Sequence, residues 1–328
     1  MDKKLASIIK YFAVFDYFPS FEDVYTFFPE KISQKKLKIM FKAKKYTVGE
    51  YSKRKIKDQS ASWRTKIKNS EKKLNNWRFR AYIKLISLFP QIRLVGLSGS
   101  ISMMNAKEGD DIDLFIITGK NRLFTGRFIA MVLAQILGLR RYRQLEKLDT
   151  VFFDRHTPKG PLAIFSKKMS SLFKNNHSLP QEHKDKVCLN LFFDESNLKV
   201  PKFKRTEFVG HEVLQMKPII VKSNIYERFL EANQWVFELF PNAKSQIINY
   251  KSQINYKRLK FKILNLFETW NLGFIISNNI ESILKDFQLT LIDRHRTTEI
   301  ITSSQLWFHP DDFEKKINAD KKRIDTDS

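Results

Sequence analysis

The stretch that decides the fold is VGLSGSISMMNAKEGDDIDLFIIT, residues 95–118. An apolar segment ends at Gly99 and Ser100, ten residues intervene, and Asp111 and Asp113 lead into a second apolar run. Apolar runs bounded by turn residues predict two buried strands joined by a turn. Gly99 permits a tight turn with close backbone approach, and Ser100 is expected to start a short helix whose free N–H groups can hold a phosphate.

The two aspartates flank Ile112, and side chains two residues apart on a strand point to the same face. Two adjacent carboxylates repel each other and resist burial unless a cation neutralises them. Hard oxygen ligands favour Mg²⁺ or Mn²⁺. We therefore expect Asp111 and Asp113 to bind the metal beside the phosphate expected at Gly99 and Ser100.

This arrangement resembles the DNA polymerase β type nucleotidyltransferase superfamily, whose motif is Gly-Ser, about ten residues, then Asp-x-Asp on the next strand. The match is carried by Gly99, Ser100, Asp111 and Asp113. The resemblance implies an α+β fold, with a mixed sheet and helices over residues 91–200. It also implies transfer of a nucleoside monophosphate from an NTP, with ATP the expected donor, to a hydroxyl acceptor, releasing pyrophosphate.

The superfamily uses a third carboxylate on a later strand, where it completes a metal site and helps activate the attacking hydroxyl. The expected strand is KVCLNLFFDE, residues 186–195, and its central position is Asn190. An amide brings no negative charge and cannot take a proton, so Asn190 would weaken the site. Asp194 lies on the predicted face but about 13 Å further along the strand. Asp149 and Asp154 are an alternative if the segment LDTVFFD is the third strand instead.

Other polar residues give weaker predictions. Arg140 and Arg141 follow an apolar helix predicted over Phe124–Leu139 and would bind nucleotide phosphates, although the helix dipole explains cations there equally well. His211 and Glu212 could reach toward the nucleotide from a later helix. An ordinary helix start is the favoured interpretation of that pair.

The chain carries 59 Lys or Arg and 35 Asp or Glu, a net charge of +24. Residues 31–80 hold 18 of the basic residues and 3 acidic ones, a local excess of +15. A clustered basic region indicates a polyanionic partner, most often nucleic acid, although an AT-rich codon bias toward lysine would give the same charge. The first 58 residues predict three short helices and a hairpin over Tyr46–Tyr51, an order that resembles a winged helix. Winged helices bind DNA or dock proteins.

The length predicts more than one domain. The expected division is a basic winged-helix-like module at 1–58, a connecting helix at 59–90, a nucleotidyltransferase domain at 91–200, a helical domain at 201–318 and a polar tail at 319–328. The one cysteine, Cys188, excludes an internal disulfide. The longest apolar run, Phe128–Leu139, has 12 residues, fewer than the ~20 that cross a bilayer. We expect a cytoplasmic protein without membrane contact.

Three functional classes compete, the last of them an interaction scaffold whose charge reflects codon bias alone. The first is a Mg²⁺- or Mn²⁺-dependent nucleotidyltransferase. The second is a catalytically weak protein of the same fold that senses nucleotide and binds DNA or RNA as a regulator, a hypothesis motivated by Asn190. The acceptor, the preferred base and the oligomeric state are left open by the sequence.

Overall fold

The helices and strands are those of a computed structural model, which describes residues 2–44, 48–140, 185–245, 278–293 and 299–308. The strands in these ranges are β1 Ile92–Leu97, β2 Ile112–Thr118, β3 Val187–Asp194, β4 Lys217–Val221, β5 Ile300–Ile301 and β6 Gln305–Trp307. The helices are α1 Asp2–Val14, α2 Phe21–Thr26, α3 Gln34–Lys44, α4 Val48–Asn75, α5 Trp77–Ser87, α6 Gly99–Ser102, α7 Leu123–Ile136, α8 Glu207–Gln215, α9 Ile225–Ala232, α10 Trp235–Leu239 and α11 Asn278–Asp293. The protein is therefore a mixed α/β structure.

The strands form one mixed sheet in the order β4-β1-β2-β3-β6-β5. Strands β2 and β3 pair in parallel, and the other neighbours are antiparallel. Strand β2 lies between β1 and β3, and its residues are buried apart from Asp113, which is partly exposed. The sequence motif thus opens a central strand.

The two faces of the sheet pack against different helices. Ile112, Leu114 and Ile116 of β2 belong to a buried cluster with residues of α5 and α7. Phe115 and Ile117 belong to a second cluster with residues of α8 and α9. Because side chains alternate along a strand, Asp113 lies on the second face, beside α8.

The N-terminal helices form a third cluster. The three helices predicted in the first 44 residues are confirmed, and Ser20 caps α2 through a reciprocal bond with Asp23. Phe12 and Leu37 pack in this cluster together with Phe240, which follows α10. The N-terminal helices therefore share a core with the later part of the chain.

The connecting region differs from its prediction. The hairpin predicted over Tyr46–Tyr51 is wrong for residues 48–51, which begin α4. The basic run KRKIK follows directly at residues 53–57, and Lys and Arg favour helix. The long helix expected near 61–88 is two helices, because the side chain of Asn76 accepts a bond from the N–H of Arg78 and starts α5.

The region 201–318, expected to be helical, also contributes strands. Strand β4 pairs with β1, and β6 pairs with β3, so this region extends the sheet on both sides. These strands have five residues or fewer, too short to show a clear alternation. Residues 246–277 of this region and the tail predicted at 319–328 lie outside the described residues. No helix in the part of the chain that the structure describes is both long and apolar enough to cross a membrane.

Candidate functional site

Gly99 and Asp113 are in close contact, as the sequence motif predicts for the turn and the second strand. Gly99 has a φ of +58°, in the left-handed region that favours glycine. A Cβ atom on Gly99 would lie 2.7 Å from Oδ2 of Asp113. The N–H of Ser98 donates to the carbonyl of Asp113 at 3.0 Å, which fixes the turn against β2. Only glycine fits this approach without moving the carboxylate.

The carboxylate of Asp110 organises the loop that leads to Asp111. Its Oδ2 accepts a bond from the hydroxyl of Ser100 at 3.1 Å and from the N–H of Lys107 at 2.8 Å. The Ser100 side chain, expected to hold phosphate, thus supports the loop in this structure. Its hydroxyl ties the Gly-Ser turn to the residue before the first motif aspartate.

Asn190 of β3 lies beside Asp113 of β2. Its Nδ2 donates to Oδ1 of Asp113 at 3.1 Å, and its Oδ1 accepts a bond from the thiol of Cys188 at 2.8 Å. In this arrangement the amide orients Asp113. It is not itself placed as a metal ligand, because its nitrogen faces the carboxylate.

A β-bulge occurs at Asn190. Leu114 pairs with Leu189, and the next pair along is Phe115 with Leu191, so Asn190 is an extra residue in β3. The bulge turns the residues that follow. Leu191 and Phe193 therefore pack on the same face as Phe115.

Because of this bulge, the prediction that Asp194 lies on the same face of the strand as Asn190 is wrong. Asp194 pairs with Thr118 at the far end of β2. Its carboxylate accepts bonds from the N–H groups of Arg122 and Ser196, at 3.0 and 2.8 Å. The buried carboxylate of Asp194 therefore holds the backbone around Arg122 and Ser196 in place, and it shares no metal site with Asp113.

Glu212 of α8 is the site residue that the sequence interpretation undervalued. Its carboxylate accepts a bond from the N–H of Gly99, and its charge acts on Asp113. Its neighbour His211 points elsewhere, into the N-terminal helices. The ring of His211 stacks between Tyr11 and Phe27, with centroids 4.0 and 3.9 Å away. The adjacent His-Glu pair was the available signal; it lies in the middle of α8 and not at a helix start, and only Glu212 reaches the site.

Several negatively charged carboxylates act on Asp113. Burial, with the charges of Glu212 and Asp111, raises the pKa of Asp113 to about 7. Asp110 adds to this effect, and a hydrogen bond from Cys188 opposes it. Burial also raises the pKa of Glu212 to about 7, against the lowering effect of the Gly99 N–H. Ionising this cluster is therefore unfavourable without a compensating cation.

The raised pKa values of these carboxyl groups make folding stability depend on pH. A carboxyl group with a raised pKa binds more protons in the folded than in the unfolded chain, so stability falls as the pH rises through the window between the two values. For Asp113 that window runs from about 4 to about 7. From pH 5 to pH 8 the free energy of unfolding of the unsubstituted chain should fall. In Asp113→Asn we expect that fall to be smaller by roughly 2 kcal/mol. Urea unfolding at both pH values measures the difference.

The exposed residue Asp286 gives the control for this experiment. Asp286→Asn removes the same charge and is expected to keep the pH dependence of the unsubstituted chain. Equal pH dependence in the chain with Asp113→Asn would contradict the unfavourable ionisation of Asp113.

Among the described residues, no three His, Cys, Asp or Glu side chains are arranged to hold a metal ion between them. Mg²⁺ is often bound by one or two carboxylates and completes its octahedron with water and substrate phosphates. Asp111 and Asp113 provide such a pair, and the raised pKa of Asp113 reflects a negative charge that a divalent cation would offset. The donor set therefore fits Mg²⁺ or Mn²⁺ bound together with a phosphate ligand.

An apolar pocket lies on the same face of the sheet. Its walls include Phe115 of β2, Phe193 of β3 and Val213 of α8, and its polar groups are Ser98, Lys204 and Glu212. Glu212 therefore faces both the pocket and the Gly-Ser turn. This pocket therefore places apolar surface beside Glu212.

The remaining predicted residues are only partly described. The backbone of Arg140 forms an isolated parallel bridge with Val187, which also pairs with Ile112. Arg140 therefore lies at the end of the sheet where β2 begins. Arg141, Asp149 and Asp154 lie outside the described residues.

No family model matches the chain, and the searches of curated proteins and of solved structures found no significant similarity.

Proposed function

We propose that the protein is a Mg²⁺- or Mn²⁺-dependent nucleotidyltransferase of the DNA polymerase β type. It would transfer a nucleoside monophosphate from an NTP, with ATP the expected donor, to a hydroxyl acceptor. The observation that carries this proposal is the contact of Gly99 with Asp113, which joins the two parts of the motif. Placement of the motif on a central strand of a mixed sheet supports it further.

In this reaction the acceptor hydroxyl gives its proton to solvent water and its oxygen attacks the α-phosphorus of the NTP, while the bond from that phosphorus to the oxygen bridging to the β-phosphate breaks. Pyrophosphate leaves with that electron pair. A bound divalent cation would stabilise negative charge on the transferring phosphoryl group. Asp111 and Asp113 would hold the cation, with Asp113 oriented by Asn190. Glu212 would add negative charge beside Asp113 without ligating the cation, since its carboxylate accepts the N–H of Gly99.

The test is transfer of label from α-³²P-labelled NTPs, with Mg²⁺, to RNA, protein and small hydroxyl compounds. We expect transfer by the unsubstituted chain and at least about a 100-fold loss in Asp111→Asn/Asp113→Asn, because the phosphoryl charge would lose its stabilisation. The matched control is Glu231→Gln/Asp286→Asn, which removes two exposed negative charges and should transfer normally. Unchanged transfer in the aspartate double variant would contradict the proposal.

One observation favours the second candidate, a nucleotide-sensing regulator with weak catalysis. Asn190, an amide that accepts no proton, bonds directly to Asp113 where the superfamily has a carboxylate. This candidate predicts Mg²⁺-dependent binding of a fluorescent ATP analogue without label transfer to any acceptor. Transfer by the unsubstituted chain would reject it in favour of the enzyme.

A further inference from the structure

Two tryptophans stand exposed on a basic part of the surface. Trp63 of α4 is 47 % exposed and Trp77 of α5 is 69 % exposed. By contrast, Trp235 and Trp307 are only 8 % and 6 % exposed. The Arg78 guanidinium lies 5.6 Å from the centroid of the Trp77 ring, and the remaining exposed area of both indoles is accessible to another molecule.

Basic side chains lie along the same helix. Arg64, Lys68 and Lys72 of α4 are all exposed and follow one another at intervals of four residues. Four residues advance a helix by about 6 Å and slightly more than one turn, so these three cations form a row about 12 Å long on one side. Arg78 and Arg80 of α5, both exposed, continue the positive charge next to Trp77.

Two other lysines of α4 are excluded from this surface because the fold uses them. The ammonium of Lys66 donates to the carbonyl and the carboxylate of Asp16, at 2.5 and 2.6 Å. Lys73 is 2 % exposed and donates to the carbonyls of Glu108 and Asp110 at 2.8 Å. The local charge excess is therefore partly structural, and the exposed row is what a ligand can reach.

The bond from Lys73 also connects α4 with the candidate site. Lys72, the last cation of the row, immediately precedes Lys73, which contacts the carbonyl of Asp110. Asp110 is followed by Asp111 of the candidate site. Lys73, one residue along the helix from Lys72, thus ties α4 to the loop that carries the first motif aspartate.

We propose that the surface formed by Trp63, Arg64, Lys68, Lys72 and Trp77, here named the α4 surface, binds single-stranded nucleic acid. Cations would pair with phosphates, and the indole rings would stack on bases, which a single strand exposes and a duplex keeps within its own stack. The same strand would present its terminal hydroxyl to Asp111 and Asp113. This last step, which makes the strand the acceptor, rests on the proposed function, whereas the binding does not.

The test measures fluorescence anisotropy of a fluorescein-labelled, mixed-sequence 20-nucleotide RNA over a series of salt concentrations, without metal or NTP. We expect Arg64→Gln/Lys68→Gln/Lys72→Gln to weaken binding at least tenfold and to reduce the slope of log K against log salt by about 2, at about 0.7 per phosphate contact. The matched control, Lys120→Gln/Lys199→Gln/Lys202→Gln, removes three exposed charges elsewhere and should change affinity less than threefold. An equal loss in the control would overturn the proposal, because net charge alone would then explain binding.

The stacking contribution has its own variants. Trp63→Ala/Trp77→Ala is expected to weaken RNA binding at least tenfold with an unchanged salt slope, since base stacking contributes about 1–3 kcal/mol per base and releases no counterions. Phe203→Ala removes a ring that is 70 % exposed elsewhere and serves as the control. Full affinity in the tryptophan double variant would overturn the proposal. Equal or tighter binding of a 20-base-pair duplex, or binding to phosphatidylserine vesicles without RNA binding, would also overturn it.

The two proposals fail separately. RNA binding through the α4 surface without label transfer would contradict the enzyme and keep the strand-binding inference. Label transfer to an acceptor in a chain that binds no RNA would do the reverse.

Discussion

Replacing Lys73 with methionine is expected to lower the free energy of unfolding by about 3–5 kcal/mol, the typical cost of removing one partner of a buried ion pair. The Lys73 ammonium donates to the carbonyls of Glu108 and Asp110 and to the carboxylate of Asp185, each at 2.8 Å. Methionine fills a similar volume but donates nothing, so three acceptors lose their partner. Urea unfolding measures the change.

The neighbouring residue provides the control for this substitution. Lys72→Met changes the same side chain at an exposed position and should alter stability by less than about 0.5 kcal/mol. Asp185→Asn, which removes only the charged acceptor, should fall between the two. A loss in Lys73→Met no larger than in Lys72→Met would show that the three bonds contribute little.

Gly99→Ala is expected to reduce Mg²⁺-dependent binding of a fluorescent ATP analogue at least tenfold. The substitution places a Cβ atom 2.7 Å from Oδ2 of Asp113 and forces alanine into a φ of +58°. The left-handed conformation alone costs a non-glycine residue about 1–2 kcal/mol. The carboxylate must move away, which changes its position relative to Asp111 and Asn190. Fluorescence titration in the presence of Mg²⁺ measures the affinity.

Gly109→Ala is the matched control, because Gly109 lies nearby in sequence, between α6 and β2, and a Cβ atom there would meet nothing within 4 Å. It should bind the analogue like the unsubstituted chain. Normal binding by Gly99→Ala would instead indicate that Asp113 takes no part in holding the nucleotide and its metal.

The sequence was sufficient to predict the strand-turn-strand unit around Gly99 and Asp113 and to place Asn190 beside Asp113. Those features depend on local order and on the period of two along a strand, both of which are visible in residues 95–118 and 186–195. The β-bulge at Asn190 was not predictable, because it depends on the pairing of β3 with β2. For the same reason the sequence placed Asp194 on the wrong face.

Glu212 and the short strands illustrate a second limit. Glu212 reaches the site because α8 packs across the face of the sheet that carries Asp113, and no local pattern encodes that packing. Strands β4 and β6 are held in an extended conformation by pairing with the longer strands β1 and β3. Tertiary context of this kind overrides the weak preferences of segments of three to five residues.

Two consecutive residues of α8 connect parts of the molecule that are distant in sequence. His211 is held between the rings of Tyr11 and Phe27, and Glu212 holds the N–H of Gly99. Neighbouring residues on a helix differ in direction by about 100° and share one rigid backbone. A rotation of α8 therefore displaces both side chains together. The first 44 residues are therefore connected through α8 to the acidic site. Their removal would disturb Glu212 as well as any surface they carry.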